Sequence, residues 1–245
     1  EGHYCRPPNI TWDIDLSDIA KSGLGRGALL NDFAAQAFAC RSRATQGALV
    51  LQAGAPQPGG AVAVIGAGTG LGHCALVPDG QGGHLAVPSE AGHAAFPFVG
   101  EREHAYAEHF RRAANLPYCH GDAVVSGSGL SRLHAFLTGE ELAPAQVAQR
   151  LDRFPDTVEW FARFYGRAAR NYALNVLALG GVYVCGGLAA KNPQLVQHPA
   201  FREEFCLSHS HHGLLAGLPV LLNTNEDSGV FGAALYGAQL LRSRS

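Results

Sequence analysis

Methionine is missing from all 245 residues, and charged side chains are scarce at 16%, against a usual share of about 25%. With no Met at all, initiator included, Glu1 is not a native translation start, and the chain is expected to be a piece of a longer protein. Little charge beside 47% hydrophobic residues excludes a disordered tail, because such tails carry too few apolar groups to offset chain entropy. No run reaches the roughly 18 apolar residues of a membrane helix, and no basic-then-apolar leader opens the chain. A soluble, cytoplasmic protein with no membrane partner is expected.

Eighteen basic and twenty acidic residues leave a formal net charge of −2, so no nucleic-acid surface is expected. The short Arg41-Ser42-Arg43 and Arg111-Arg112 clusters are read as solvated faces. The six cysteines show neither Cys-x-x-Cys nor zinc-knuckle spacing, and several sit inside apolar runs. That pattern suits buried free thiols in a reducing compartment, with neither a disulfide framework nor a metal. The zinc-protease pattern His-Glu-x-x-His and the Gly-Lys-Ser/Thr ending of a P-loop are also missing.

What is present alternates between strand and helix. Ile10–Trp12 and Ala28–Leu30 read as short strands, Asp15–Ser22 as a brief helix, and Phe33–Ala39 as a helix after a polar junction. Ala61–Ile65 is a continuous apolar strand, followed by a glycine loop and a second strand at His73–Val77, so the loop joins a hairpin. Helical spacing covers 101–114, 130–137 and 144–151. In 157–179, Trp160, Phe164, Ala168 and Tyr172 fall four apart on one stripe. Val182–Cys185 is a further strand that ends at Gly186-Gly187. Repeated strand-then-glycine units indicate α/β architecture in two lobes.

Chemistry concentrates in a few places. Gly66-Ala67-Gly68-Thr69-Gly70-Leu71-Gly72 lets backbone amides approach an anion and adds the Thr69 hydroxyl, so it is either a phosphate cradle or a glycine-rich hairpin turn. Gly186-Gly187 is either the opposite wall of a nucleotide site or a tight turn. Asn31-Asp32 places an amide and a carboxylate at the end of an apolar run, where Asp32 either caps a helix or serves as a general base. Glu90 and His93 can bracket a polyol, form a surface turn or, least in keeping with their spacing, hold a metal. Asp122 precedes Ser126-Gly127-Ser128-Gly129, which is either a helix-capping or turn region or a loop that presents hydroxyls and amides. His209, His211 and His212 read as an exposed loop, and Cys185 as a small buried hydrophobe.

Taken in order, Asn9-Ile10-Thr11-Trp12, Leu30-Asn31-Asp32-Phe33, the Gly66–Gly72 loop, Glu90-Ala91-Gly92-His93, Ser126–Gly129 and Gly186-Gly187 resemble the motifs of bacterial-type glucokinases from end to end of the chain. The resemblance implies a two-lobed, actin-like and hexokinase-like ATPase fold that phosphorylates the 6-hydroxyl of glucose with ATP and Mg²⁺. It implies Asp32 as catalytic base, and Asn31, Glu90, His93 and Asp122 as sugar contacts. Gly66, Gly68, Thr69 and Gly70 would belong to a phosphate motif, and Gly186 and Gly187 to an adenosine motif.

Asp122 stands where the family generally has a glutamate, so another hexose or an amino sugar is an alternative substrate. The family's opening Asp-x-Gly-Gly-Thr-Asn type of phosphate motif is not present. By the resemblance, roughly the first quarter to third of an intact enzyme lies outside this chain and the small lobe is incomplete. A sugar-binding relative without catalysis is the other alternative. Residues 1–43 and 228–245 would belong to the small lobe and 44–227 to the large one, in a homodimer. The cysteine cluster of zinc-bearing sugar kinases has no counterpart, so no zinc is expected.

Overall fold

The computed structural model describes residues 4–6, 11–17, 19–23 and 27–242. An antiparallel pair, β1 (Tyr4–Cys5) and β2 (Ile14–Asp15), comes first, with the Asp13 carboxylate accepting from the Tyr4 hydroxyl and from Arg6 Nε. The helix expected over 15–22 is a single 3-10 turn, Ile19–Ser22. Of the strand expected at 10–12, Thr11 and Trp12 form a bend and Ile10 lies outside the described residues. The strand expected at 28–30 is irregular backbone leading straight into α1 (Asp32–Ala39). Three apolar residues make a strand only beside a partner ladder, and among the described residues none flanks them.

A six-stranded sheet comprises β3 (Leu49–Gln52), β4 (Val62–Ala67), β5 (Leu71–Pro78), β6 (His84–Ser89), β7 (Val182–Cys185) and β8 (Val220–Leu222) in the order β3-β8-β7-β4-β5-β6. β4, β7 and β8 run parallel, while β5, β6 and β3 are added antiparallel. Every residue of β4 is buried, as a continuous apolar run predicts for a strand covered on both faces. Alternation sends Val62 and Val64 toward one core and Ala63, Ile65 and Ala67 toward the other.

α1 and α11 (Ser228–Arg242) pack together, and the core of α1 lies on the Val62–Val64 face. The opposite face carries α2 (Gly100–Ala113), α3 (Gly121–Val124), α4 (Gly127–Thr138), α5 (Pro144–Ala148), α6 (Pro155–Asn175), α7 (Gly187–Lys191), α8 (Gln194–Gln197), α9 (Pro199–Cys206) and α10 (His212–Gly217) around the larger core. α6 starts with Pro155, which lacks only an amide that the first turn leaves unpaired anyway. Its expected stripe is buried at Trp160, Phe164, Ala168 and Tyr172.

The Ser126–Gly129 segment, with helix capping among its expected readings, is the start of α4. Ser126 Oγ caps it by accepting from Gly129 N–H at 3.2 Å, as a serine at the N-cap position does. Cys5 is exposed and the other five cysteines are buried, all as free thiols. Burial pushes the Cys185 thiol up to about 12, as a small hydrophobe in an apolar setting should be. His211 is exposed in the turn before α10, and His212 pairs through Nδ1 with the Cys206 carbonyl at 2.8 Å.

Between α2, α6 and α9 lies a buried ion network. Arg167, with its side chain 2% exposed, donates to both oxygens of Glu103, to Glu204 Oε1 at 2.8 Å and to the Pro97 carbonyl at 2.9 Å. This pins the segment that follows Glu90–His93 to the helical layer.

Candidate functional site

Asn31, not Asp32, caps α1. Its Oδ1 accepts from Phe33 N–H at 2.9 Å and Ala34 N–H at 3.1 Å, which leaves its Nδ2 as the group free to meet a ligand. Asp32 is the first helical residue, and its Oδ1 accepts from Phe33 N–H at 2.9 Å. The sequence alone could not choose between two adjacent capping residues, since both are good caps.

The glycine loop is a hairpin, as expected, with β4 and β5 paired from Val62↔Leu76 to Ala67↔Leu71. Phe33 lies across it: a Cβ at Gly72 would come within 2.0 Å of the Phe33 ring. The tip closes on itself through Gly68 N–H to the Gly70 carbonyl at 2.8 Å, and Gly127 N–H ties it to the start of α4 at 3.0 Å. Parallel pairing of β4 with β7 sets Gly66 opposite Cys185, so the two glycine segments meet. Gly186 has φ +89° and a Cβ there would lie 2.5 Å from the Ala67 carbonyl oxygen, so only glycine can turn the chain into α7 at this point.

Asn31, Asp32, the 66–72 hairpin, Glu90, Asp122 and Gly186 line one cleft of about 410 Å³. A second hollow of about 290 Å³ adjoins it through Gln36 and Gly186 and is lined by Gly187, Lys191, Asn223 and Asn225. Two other surface clefts, about 410 Å³ beside His109 and Arg132 and about 470 Å³ beside Glu101 and Trp160, have no glycine hairpin. Of these four, only the first combines a helix-start carboxylate with a glycine-hairpin wall.

Glu90 precedes a 3-10 turn at Ala91–His93, and its Oε2 lies 3.7 Å from His93 Nε2, both side chains well exposed. His93 stands beside the cleft and is not among its lining residues. Asp122 lies in the first turn of α3, where the cap is His120: its Nδ1 accepts from Ala123 N–H at 3.2 Å. Asp122 Oδ1 accepts from Leu71 N–H at 2.7 Å, which locks one carboxylate oxygen to the hairpin and leaves Oδ2. Candidate ligand atoms of His93, His120 and Asp122 lie within 4.8 Å of one another, the one such group among the described residues.

Two histidines escaped the sequence reading. His120 is one. The other is His73, which lines the cleft from β5, is 4% exposed, leaves Nδ1 unpartnered and meets Tyr172 edge-on at 4.6 Å. An imidazole directly after the last loop glycine, in an apolar strand, was the available clue. Burial pushes His73 down to about 4. The fold therefore favours the neutral ring: this contribution is complete above about pH 6.5 and is lost as pH falls toward 4. Between pH 7 and pH 5 the wild type should lose about 2 kcal/mol more stability than His73→Leu. Urea titrations at both pH values check this, and equal losses would refute it.

Residues 1–240 match the family model described as Glucokinase. The glucokinase of Chromobacterium violaceum is 35% identical, covering 100% of this chain and 73% of that protein. The glucokinase of Synechocystis sp. is 30% identical, covering 96% of this chain and 75% of that one. The crystal structure of a glucokinase from an Antarctic psychrotroph has a TM-score of 0.86 and 25% identity, over 96% of this chain and 76% of that chain. This chain thus spans about three quarters of the length of these relatives.

Proposed function

The chain belongs to the glucokinase family, and from that premise we propose that its cleft holds a hexose, glucose first, and transfers the terminal phosphoryl group of ATP to the sugar's 6-hydroxyl. The observation that carries this reading is the Asp32 carboxylate at the start of α1, in one cleft with the glycine hairpin, Glu90 and Asp122. The sugar's O6 forms the new bond to phosphorus as the bond from phosphorus to the ADP oxygen breaks, and the O6 proton passes to Asp32. Sugar phosphate and ADP result. Such a transfer asks the protein mainly to position the partners and to stabilise phosphoryl charge.

In this reading Asn31 offers its Nδ2 to the sugar, and Glu90, His93 and Asp122 hold further hydroxyls. Gly66, Gly68, Thr69 and Gly70 lie along the phosphates, with Gly186 and Gly187 on the nucleotide side. A Cβ at Gly68 or Gly187 would meet nothing within 4 Å. No packing among the described residues demands glycine there, which supports room being kept for a ligand. Because the Gly68 amide is used inside the tip, the Thr69 hydroxyl and neighbouring amides carry the donor role.

Mg²⁺ belongs to the proposal as the nucleotide's counter-ion. It prefers oxygen ligands and keeps substrate phosphates and waters around it, so the imidazole-rich group at His93 and His120 does not suit it, whereas Asp32 and Thr69 offer oxygens near the hairpin. The lobe division into 1–43 with 228–245, and 44–227, is part of the same proposal. The buried core about α1 also takes in Val62, Val64, Cys74 and Leu76 of the proposed large lobe, so the division is carried on resemblance. Cytoplasmic action is supported by free thiols at all six cysteines. Among the described residues no helix is long and apolar enough to cross a membrane. A homodimer is carried on resemblance, and light scattering of the encoded protein checks it.

Coupled assays of ATP-dependent phosphorylation with glucose, mannose, fructose and glucosamine test the function. Preference for a hexose other than glucose is the second reading, favoured by Asp122, a side chain one methylene shorter than glutamate and tied to Leu71. Asp122→Glu should lower KM for glucose about 3- to 10-fold relative to the other sugars, the value of roughly one hydrogen bond. An unchanged ranking of the four sugars would remove Asp122 from the specificity role. Sugar binding without turnover of any of them would instead identify a non-catalytic relative.

A further inference from the structure

We propose that His120 is a further sugar-contacting residue, donating a hydrogen bond from Nε2–H to a hydroxyl oxygen of the hexose at the end of the site held by Asp122 and His93. The proposal deepens the hexose-kinase reading and rests on it. Its first support is placement. An isolated backbone bridge pairs Ala95 with His120, and Gly121 N–H donates to the Ala94 carbonyl at 3.2 Å, so residue 120 is pinned to the segment that leaves the Glu90–His93 turn. The His120 ring lies 5.4 Å from that of His93 and 6.0 Å from that of Tyr118. Its candidate ligand atom falls within 4.8 Å of those of His93 and Asp122.

The second support is protonation geometry. His120 Nδ1 accepts from Ala123 N–H, and a ring nitrogen that accepts carries no proton. The neutral ring therefore has its proton on Nε2 and is a donor there. Two residues on, Asp122 is held by Leu71 N–H and contributes only acceptor capacity. A sugar hydroxyl that gives its proton to a carboxylate keeps lone pairs on its oxygen, and those need a donor. The fixed Nε2–H of His120 supplies one beside a carboxylate.

The same geometry disfavours a metal at this cluster. A cation on Nε2 would move the ring proton to Nδ1, where it would face the Ala123 N–H and break the cap. A sugar hydroxyl makes no such demand.

Asn and Gln separate the two halves of the imidazole. His120→Asn puts an amide oxygen near the position of Nδ1 and keeps an excellent cap, but does not reach the position of Nε2. His120→Gln extends an amide NH₂ toward Nε2 at the expense of the short cap. With the full encoded protein, His120→Asn is expected to raise KM for glucose about 3- to 10-fold with kcat and KM for ATP within about 2-fold, and His120→Gln to recover part of the loss. An unchanged glucose KM in His120→Asn, in a wild type that phosphorylates glucose, would leave His120 as a cap alone and overturn the proposal. Stoichiometric binding of Zn²⁺ alone to the wild type, lost in His120→Asn, would overturn it in favour of a metal site. A wild type that neither binds nor phosphorylates any hexose would defeat the kinase reading, and this proposal with it.

Discussion

Asp32→Asn is expected to lower kcat for hexose phosphorylation by about 10²- to 10⁴-fold, the usual contribution of a positioned general base, while leaving sugar affinity within a few-fold. An amide cannot accept the O6 proton, yet it has the carboxylate's shape and can still accept from Phe33 N–H as Asp32 Oδ1 does at 2.9 Å. The helix start is not at risk, because the capping oxygen belongs to Asn31. A surface substitution of this kind changes stability by about 0.5 kcal/mol or less, so the melting temperature should move by no more than about 2 °C. Stopped-assay turnover, sugar binding by calorimetry and a thermal melt check the three parts together. Retention of more than about a tenth of wild-type kcat would remove Asp32 from the base role.

Arg167→Met is expected to cost about 3–5 kcal/mol, because it leaves the buried Glu103 carboxylate without its cation. Glu103 and Glu204, with side chains 6% and 8% exposed, share the Arg167 guanidinium. Glu103 would retain the Val99 N–H at 2.7 Å, and Glu204 would retain Arg170 at 3.0 Å. A loss of this size is a large part of a domain's typical 5–15 kcal/mol and corresponds to a fall in Tm of about 6–20 °C for a chain of this length.

Burial alone would lower the pKa of Arg167, and the two glutamates more than reverse that. The double variant Arg167→Met, Glu103→Gln should therefore regain at least half of the loss, since it no longer buries an unpaired carboxylate while Glu204 keeps Arg170. A single variant that loses less than about 1 kcal/mol, or a double variant no better than the single, would show that the network is not the source of stability. The Pro97 carbonyl also loses its donor, so KM for the sugar should rise with the loosening of the Glu90–His93 segment.

Elements written in a local pattern were legible. The run that became β4 is apolar at almost every position because both faces of the strand are covered, and the α6 stripe repeats at four because one arc of the helix is buried. The glycine loop and its hairpin, and the ordered motifs that resemble glucokinases, were visible for the same reason. β3, β6 and β8 went unread. They are short or half-exposed, so they carry little alternation, and what makes them strands is a neighbour far away in the chain.

The sequence by itself determined the α/β class, the central strand, the hairpin and the family motifs that single out Asn31, Asp32, Glu90, His93, Asp122 and the glycines as candidates, because each depends on residues adjacent in the chain. Tertiary structure alone decided which of Asn31 and Asp32 caps the helix, that Asp122 is tied to Leu71 across 51 residues, that His73 lines the cleft and that His120 comes beside His93 and Asp122. Those facts follow from strand register and helix packing. Both are set by the summed burial of distant apolar faces, which no local window of sequence contains.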